Sequence, residues 1–208
     1  MEEGGVERKL AAVLSADVVG YSRLMQEDDK ATLKALALGS LGYRALGVRV
    51  LGFRYDEARR AVERALNLSP NLFMVRFAAG MVSASVGEGD AALGHFSRAM
   101  RLSPLDPGMS ALVLGSGLAH LVAGRYDEAL AAAQRTVDER PNFASGHRLM
   151  LVALGYLGRI DEAKLAARRM LELAPDYTVS RYEGVSPLKN PEFRKRGAEI
   201  LRAAGVPN

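Results

Sequence analysis

Four times along this chain of 208 residues a phrase returns: a turn, an acidic stretch, alanine, an apolar run and then proline. It stands as Arg54-Tyr55-Asp56-Glu57-Ala58 before Pro70, and as Gly87 to Ala92 before Pro104. It stands again as Gly124-Arg125-Tyr126-Asp127-Glu128-Ala129 before Pro141, and as Gly158-Arg159-Ile160-Asp161-Glu162-Ala163 before Pro175. The prolines lie 34, 37 and 34 residues apart. Self-similarity at this period marks a stack of helix-turn-helix units, each burying its apolar face against the next. The expected fold class is therefore all-α, a helical solenoid.

Composition agrees with a helical stack. Half the residues are hydrophobic (49%) and a quarter charged (25%), which excludes wholesale disorder. With no tryptophan and 6% aromatics, an Ala- and Leu-rich array fits better than a β sandwich. The absence of cysteine removes disulfides and cysteine-ligated metal. The net charge of +4 is spread along helix faces, with one dense cluster at Arg194-Lys195-Arg196, read as a solvated face of the last helix. No apolar run reaches the ~18 residues of a membrane span. Leu10 to Ala16 is too quickly interrupted by Asp17, and too acidic upstream, for a secretory leader, so the expectation is a cytoplasmic protein.

The units resemble tetratricopeptide repeats, which place small residues where two helices cross and end the second helix with proline. Gly80 and Ala92 fill the crossing positions before Pro104, with Phe96 and Ala99 packing the second helix and Gly87 making the turn. Gly117, Gly124, Tyr126 and Ala129 serve before Pro141, and Gly158, Ala163 and Met170 before Pro175. The first unit has Tyr55, Ala58 and Ala65, but its opening helix, about residues 40–52, carries Gly42, Gly47 and Gly52 and should be the weakest. The boundaries expected are about 39–72, 73–106, 107–143 and 144–178, within a repeat region of 37–178. Asp56, Asp127 and Asp161 are expected to cap the second helices, with Glu57, Glu128 and Glu162 favouring the positive helix end. The stretch Pro104 to Met109 lengthens one inter-repeat turn.

The resemblance implies a right-handed superhelix whose first helices line a concave face. Mapped onto this sequence, that face carries Met74, Phe77 and Met81, then Leu114, Leu118, Leu121 and Val122, then Arg148, Val152 and Tyr156. An apolar groove with a basic residue at one end suits an amphipathic helix or an extended apolar peptide. The Lys and Asn pattern of carboxylate-clamping repeats is missing. His95, His120 and His147 read as packing residues, because no third metal ligand accompanies them. Neither a nucleotide-binding loop nor a Ser-His-Asp spacing appears. The expected partner is a protein or peptide; no nucleic acid is expected.

Ahead of the repeats, Leu10 to Val19 is a short apolar run closed by Gly20, and Asp17 inside it is a carboxylate costly to bury without a partner or metal. A buried strand turning into a helix and a buried helix both fit so short a run. Glu7 to Leu14, followed by Ala16-Asp17-Val18-Val19-Gly20-Tyr21-Ser22-Arg23-Leu24-Met25, resembles the opening of a class III nucleotide cyclase domain. The proteobacterial adenylate cyclases with C-terminal tetratricopeptide repeats are the members it most resembles. In that family the strand's aspartate holds divalent metal, and Asp17 occupies its place; Mg or Mn would be the cofactor. The second metal-binding aspartate and the transition-state Asn and Arg have no counterpart here. Residues 1–36 are thus expected to be a strand-like or irregular remnant without catalysis, and no cofactor is expected for the array.

At the other end, Asn190-Pro191-Glu192 starts a capping helix with the apolar stripe Phe193, Ala198, Ile200 and Leu201, stopped at Gly205 and Pro207. Residues 179–208 are expected to comprise a loop, Tyr182 to Lys189, and that helix. Taken together, the chain is expected to be a non-catalytic interaction module, with a nucleotide cyclase, or a fragment of one, as the alternative.

Overall fold

The computed structural model describes residues 55–104 and 108–208. Asp17, the strand-like opening, the helix expected near residues 40–52 and the middle of the lengthened turn lie outside them. Among the described residues there are nine helices and no strand. In chain order they are α1 (Tyr55–Leu68), α2 (Phe73–Ser85), α3 (Gly89–Leu102), α4 (Met109–Val122), α5 (Tyr126–Glu139), α6 (Ala144–Tyr156), α7 (Ile160–Leu173), α8 (Val179–Val185) and α9 (Pro191–Ala203). Each helix from α1 to α6 packs on the next, while α2 touches α4 and α4 touches α6. The result is an all-α solenoid of two layers: first helices α2, α4 and α6, and second helices α3, α5 and α7. The helix α9 closes the stack on α6 and α7.

Among the described residues one local device makes every sharp turn between a first and a second helix. Gly87, Gly124 and Gly158 have φ of 90°, 76° and 77°, the left-handed region where an L side chain is strained. At each, the glycine N–H bonds the carbonyl three residues back and the next N–H bonds the carbonyl five back, as in Gly124 N–H to Leu121 O and Arg125 N–H to His120 O. This is a Schellman closure, and it satisfies carbonyls that the helix end would otherwise orphan. Gly205 repeats it after α9 at φ 88°.

Small residues then let the helices cross. A Cβ on Gly80 would lie 2.5 Å from the Phe96 ring, and one on Gly117 would lie 2.5 Å from Leu149 Cδ2. Phe96, Ala92 and Ala99 are fully buried, as are Ala129 and Ala163 on the later second helices. Phe96 is the largest of the fully buried side chains among the described residues; burying it contributes about 1.5–3 kcal/mol. Gly155 performs the same service at the C-terminal end, where Ile200 of α9 sits in the space a side chain would need.

The acidic pairs act differently from the expectation. Neither Asp127 nor Asp161 caps its helix: α5 and α7 begin one residue earlier, at Tyr126 and Ile160, and no side-chain cap bond forms at either start. The carboxylates instead sit in the first turn, near the positive helix end. There Asp161 accepts from Lys164 at 2.9 Å and Glu162 accepts from Arg159. Side-chain caps of the expected kind occur at α9, where Asn190 Oδ1 accepts from the Glu192 and Phe193 amides, and at α8, where Thr178 accepts from Arg181.

Candidate functional site

The first helices carry their apolar residues all round, because one side meets the second helices and another faces away from them. The side left over forms a groove of about 200 Å³. Met81 of α2, Leu114, Leu118 and Leu121 of α4, and Arg148 and Val152 of α6 line it, six of the ten residues the sequence places on this face. The other four lie elsewhere. Phe77 is buried against Phe96, ring centroids 6.0 Å apart, so it belongs to the α2–α3 core. Met74 wedges between two core clusters near the start of α2, and half-buried Val122 is not part of the lining. Tyr156 stacks between Tyr126 (4.7 Å) and Phe193 (5.0 Å), and its hydroxyl points to the Phe193 carbonyl at 3.4 Å. Burial pushes the Tyr156 phenol far above its ordinary range, as expected of a neutral joint between the last repeat and the capping helix.

Among the described residues Arg148 is the one charged residue in the lining, and its guanidinium lies 5.5 Å from the centre of the Tyr177 ring. The groove is therefore an apolar trough with a single cation, held over an aromatic face.

The wall opposite the first helices comes largely from the stretch expected to be a plain loop. After α7 the chain turns back: Tyr177, Tyr182, Val185, Ser186, Pro187 and Leu188 wall the trough opposite the first helices. Part of the expected loop, Tyr182 to Val185, is instead the end of helix α8. Its fold-back is fixed by contacts outside the repeat pattern, one of them distant in sequence. The Val179 amide donates to the Pro207 carbonyl at 2.7 Å, Tyr182 lays its phenol on Gly197, and the Lys189 amide donates to the Ser85 carbonyl at 2.7 Å. Burial raises the Tyr182 phenol above its usual range. The Ser186 hydroxyl is close enough to that phenol to favour its ionised form, yet it meets no partner at hydrogen-bonding geometry. No repeated motif announces these contacts, and a Tyr-rich stretch between the array and a capped helix was the only signal available.

The histidines are spread along the stack. His147 Nε2 bonds the Pro141 carbonyl at 2.8 Å and ties the last inter-repeat turn to α6. His95 Nδ1 faces Arg76 at 3.3 Å, and His120 Nδ1 accepts from Arg125 at 3.2 Å, which also reaches Asp90. Burial first, then the adjacent guanidinium, holds both His95 and His120 below the ordinary imidazole value. Among the described residues no group of three or more His, Asp or Glu could hold a metal ion, and no helix is long and apolar enough to cross a membrane.

Comparison with known proteins bears on the repeats. Residues 86–144 match the family model for the tetratricopeptide repeat. No curated protein matches the sequence. Among solved structures, a crystal structure of MamA superposes with a TM-score of 0.51 at 18% identity, covering 77% of this chain and 92% of that one. A second MamA crystal structure gives 0.51 at 17% identity, covering 85% and 91%. MamA residues 41 to end from Desulfovibrio magneticus RS-1 gives 0.51 at 19% identity, covering 80% and 93%. At such identities the likeness is one of fold: a tetratricopeptide-type helical solenoid.

Proposed function

We propose that the chain is a non-catalytic interaction module that holds an extended apolar peptide of a partner protein in the groove on its first helices. The observation that carries this reading is the trough itself. Met81, Leu114, Leu118 and Val152 present apolar surface from three successive units, and Arg148 supplies one fixed charge for a carboxylate or carbonyl of the ligand. An extended peptide suits it better than a helix, because the chain's own segment beside the first helices there, from Ser186 on, is extended.

The test is selection of a displayed random-peptide library on the full chain, with Leu114→Glu/Leu118→Glu as the counter-target. Both leucines are only half-buried, so the variant should keep its helical spectrum. Enriched apolar peptides that lose binding on the variant are the expected result. Failure to enrich, or equal binding to both folded proteins, would remove the groove as the binding site.

A second reading, a nucleotide cyclase or a fragment of one, is favoured by Ala16-Asp17-Val18-Val19-Gly20-Tyr21. Cyclic nucleotide formed from ATP or GTP with Mn²⁺, and abolished by Asp17→Ala, would establish it and displace the first.

A further inference from the structure

One wall of the proposed groove is itself an extended peptide, and it is the chain's own. Between α8 and α9 the backbone runs extended, with φ/ψ of −62°/123° at Ser186 and −68°/115° at Asn190. The segment lies against the first helices: Leu188 is 5% exposed and Ser186 2%. Its single main-chain bond to the repeats, Lys189 N–H to Ser85 O, ends on a carbonyl in the last turn of α2, where the helix itself supplies no amide donor. Leucine in an apolar site, proline holding an extended backbone and one main-chain bond to an orphan carbonyl are the contacts a bound peptide would make. One detail does not fit a finished interface. Among the described residues the buried Ser186 hydroxyl lies near the Tyr182 phenol but meets no partner at hydrogen-bonding geometry, so the segment gives up water there for little in return.

Resting on the groove reading above, we propose that Ser186–Lys189 is an intramolecular stand-in for the ligand, which a partner peptide displaces. The partner's peptide is extended and carries a small apolar residue, a proline and a leucine in that order. The apolar residue takes the place of Ser186 and removes the unmet hydroxyl, which lets a foreign peptide compete with a segment that has the advantage of being tethered. The cation at Lys189 lies outside the apolar trough, 5.7 Å from the centre of the Tyr55 ring, and is not part of the motif.

Two fluorescent peptides spanning 184–191 test this, one of native sequence and one carrying Ser186→Ala. Each is titrated by anisotropy against the full chain and against the full chain bearing Leu188→Asp, which expels the tethered segment. If the segment occupies the groove at least nine-tenths of the time, the variant should bind both peptides about tenfold more tightly or better. The Ala peptide should bind more tightly than the Ser peptide to either protein. Equal affinity for the two proteins, or a Ser peptide as tight as the Ala peptide, overturns the proposal. Amide exchange on the unaltered chain gives a readout that needs no variant. Saturating Ala peptide should deprotect the Lys189 amide while the amides of α2 and α6 stay protected; unchanged Lys189 protection overturns the proposal. Library peptides that bind the Leu114/Leu118 groove without exposing Lys189 would sink the stand-in and leave the groove reading intact. If neither library peptides nor these two bind, both fall.

Discussion

The α2–α3 hairpin and the α8–α9 fold-back are both held by a glycine facing an aromatic ring, yet they are built by different logics. In α2–α3, Gly80 and Phe96 meet 16 residues apart, within one unit whose pattern recurs along the chain. In α8–α9, Gly197 receives the Tyr182 phenol, and the segment between them reaches back to Ser85 through one main-chain bond. The first joint is local and lies within a hairpin whose frame is repeated. The second is unique and depends on elements more than 100 residues apart. A solenoid's stability is close to a sum of unit and neighbour terms, so damage to the first should spread through the array. Damage to the second should stay at the groove.

The comparison breaks most visibly at Phe96. Phe96→Ala leaves a cavity facing Gly80 and Gly115 and should cost about 3–5 kcal/mol in urea unfolding. A loss below that range would mean that the hairpin core is less closely packed than the Gly80 and Gly115 contacts imply. Gly197→Ala comes next: the added methyl overlaps the Tyr182 phenol, and overpacking of this kind costs about 1–3 kcal/mol. Amide exchange should show the loss in α8, α9 and Lys189, leaving α2 and α3 unchanged; a global loss would refute the division. Gly124→Ala forces an L side chain to φ 76° in open space, so the penalty is backbone strain alone, about 1–2 kcal/mol.

The smallest effect is electrostatic. The folded chain holds His95 and His120 below their ordinary value, through burial and then through Arg76 and Arg125 respectively; near His120, Glu128 and Asp90 oppose the shift. The unfolded chain therefore binds those protons more readily. Stability is full above the ordinary imidazole range and falls as pH drops through it toward the depressed folded values. Arg125→Ala should raise the His120 value, seen by NMR titration, and leave His95 where it is. No upward movement would show that burial alone sets it.

How much of this was legible follows the same division. The turn glycines and the crossing residues Gly80 and Gly117 recur at the repeat period, and each lies where that period places it. The groove was legible for Met81, Leu114, Leu118, Leu121, Arg148 and Val152, which hold one side of successive first helices. It was not legible for Phe77 or Tyr156, since an apolar residue on a first helix serves a core or a groove according to which neighbour turns toward it. The Asp127 and Asp161 caps failed for a smaller reason: the helices start one residue early, and an acid in the first turn answers the same dipole without a cap bond.

By itself the sequence determined an all-α repeat, its turns and its capping helix, because helix periodicity, positive-φ glycines, Asn190-Pro191 and terminating prolines act within a few residues of chain. Only the tertiary structure decided that Tyr182 to Lys189 folds back into the trough. That outcome rests on Tyr182 meeting Gly197, Val179 meeting Pro207 and Lys189 meeting Ser85. Each is a single contact free of any period, and the last, between residues more than 100 apart, exists only once the stack has brought Ser85 and Lys189 together.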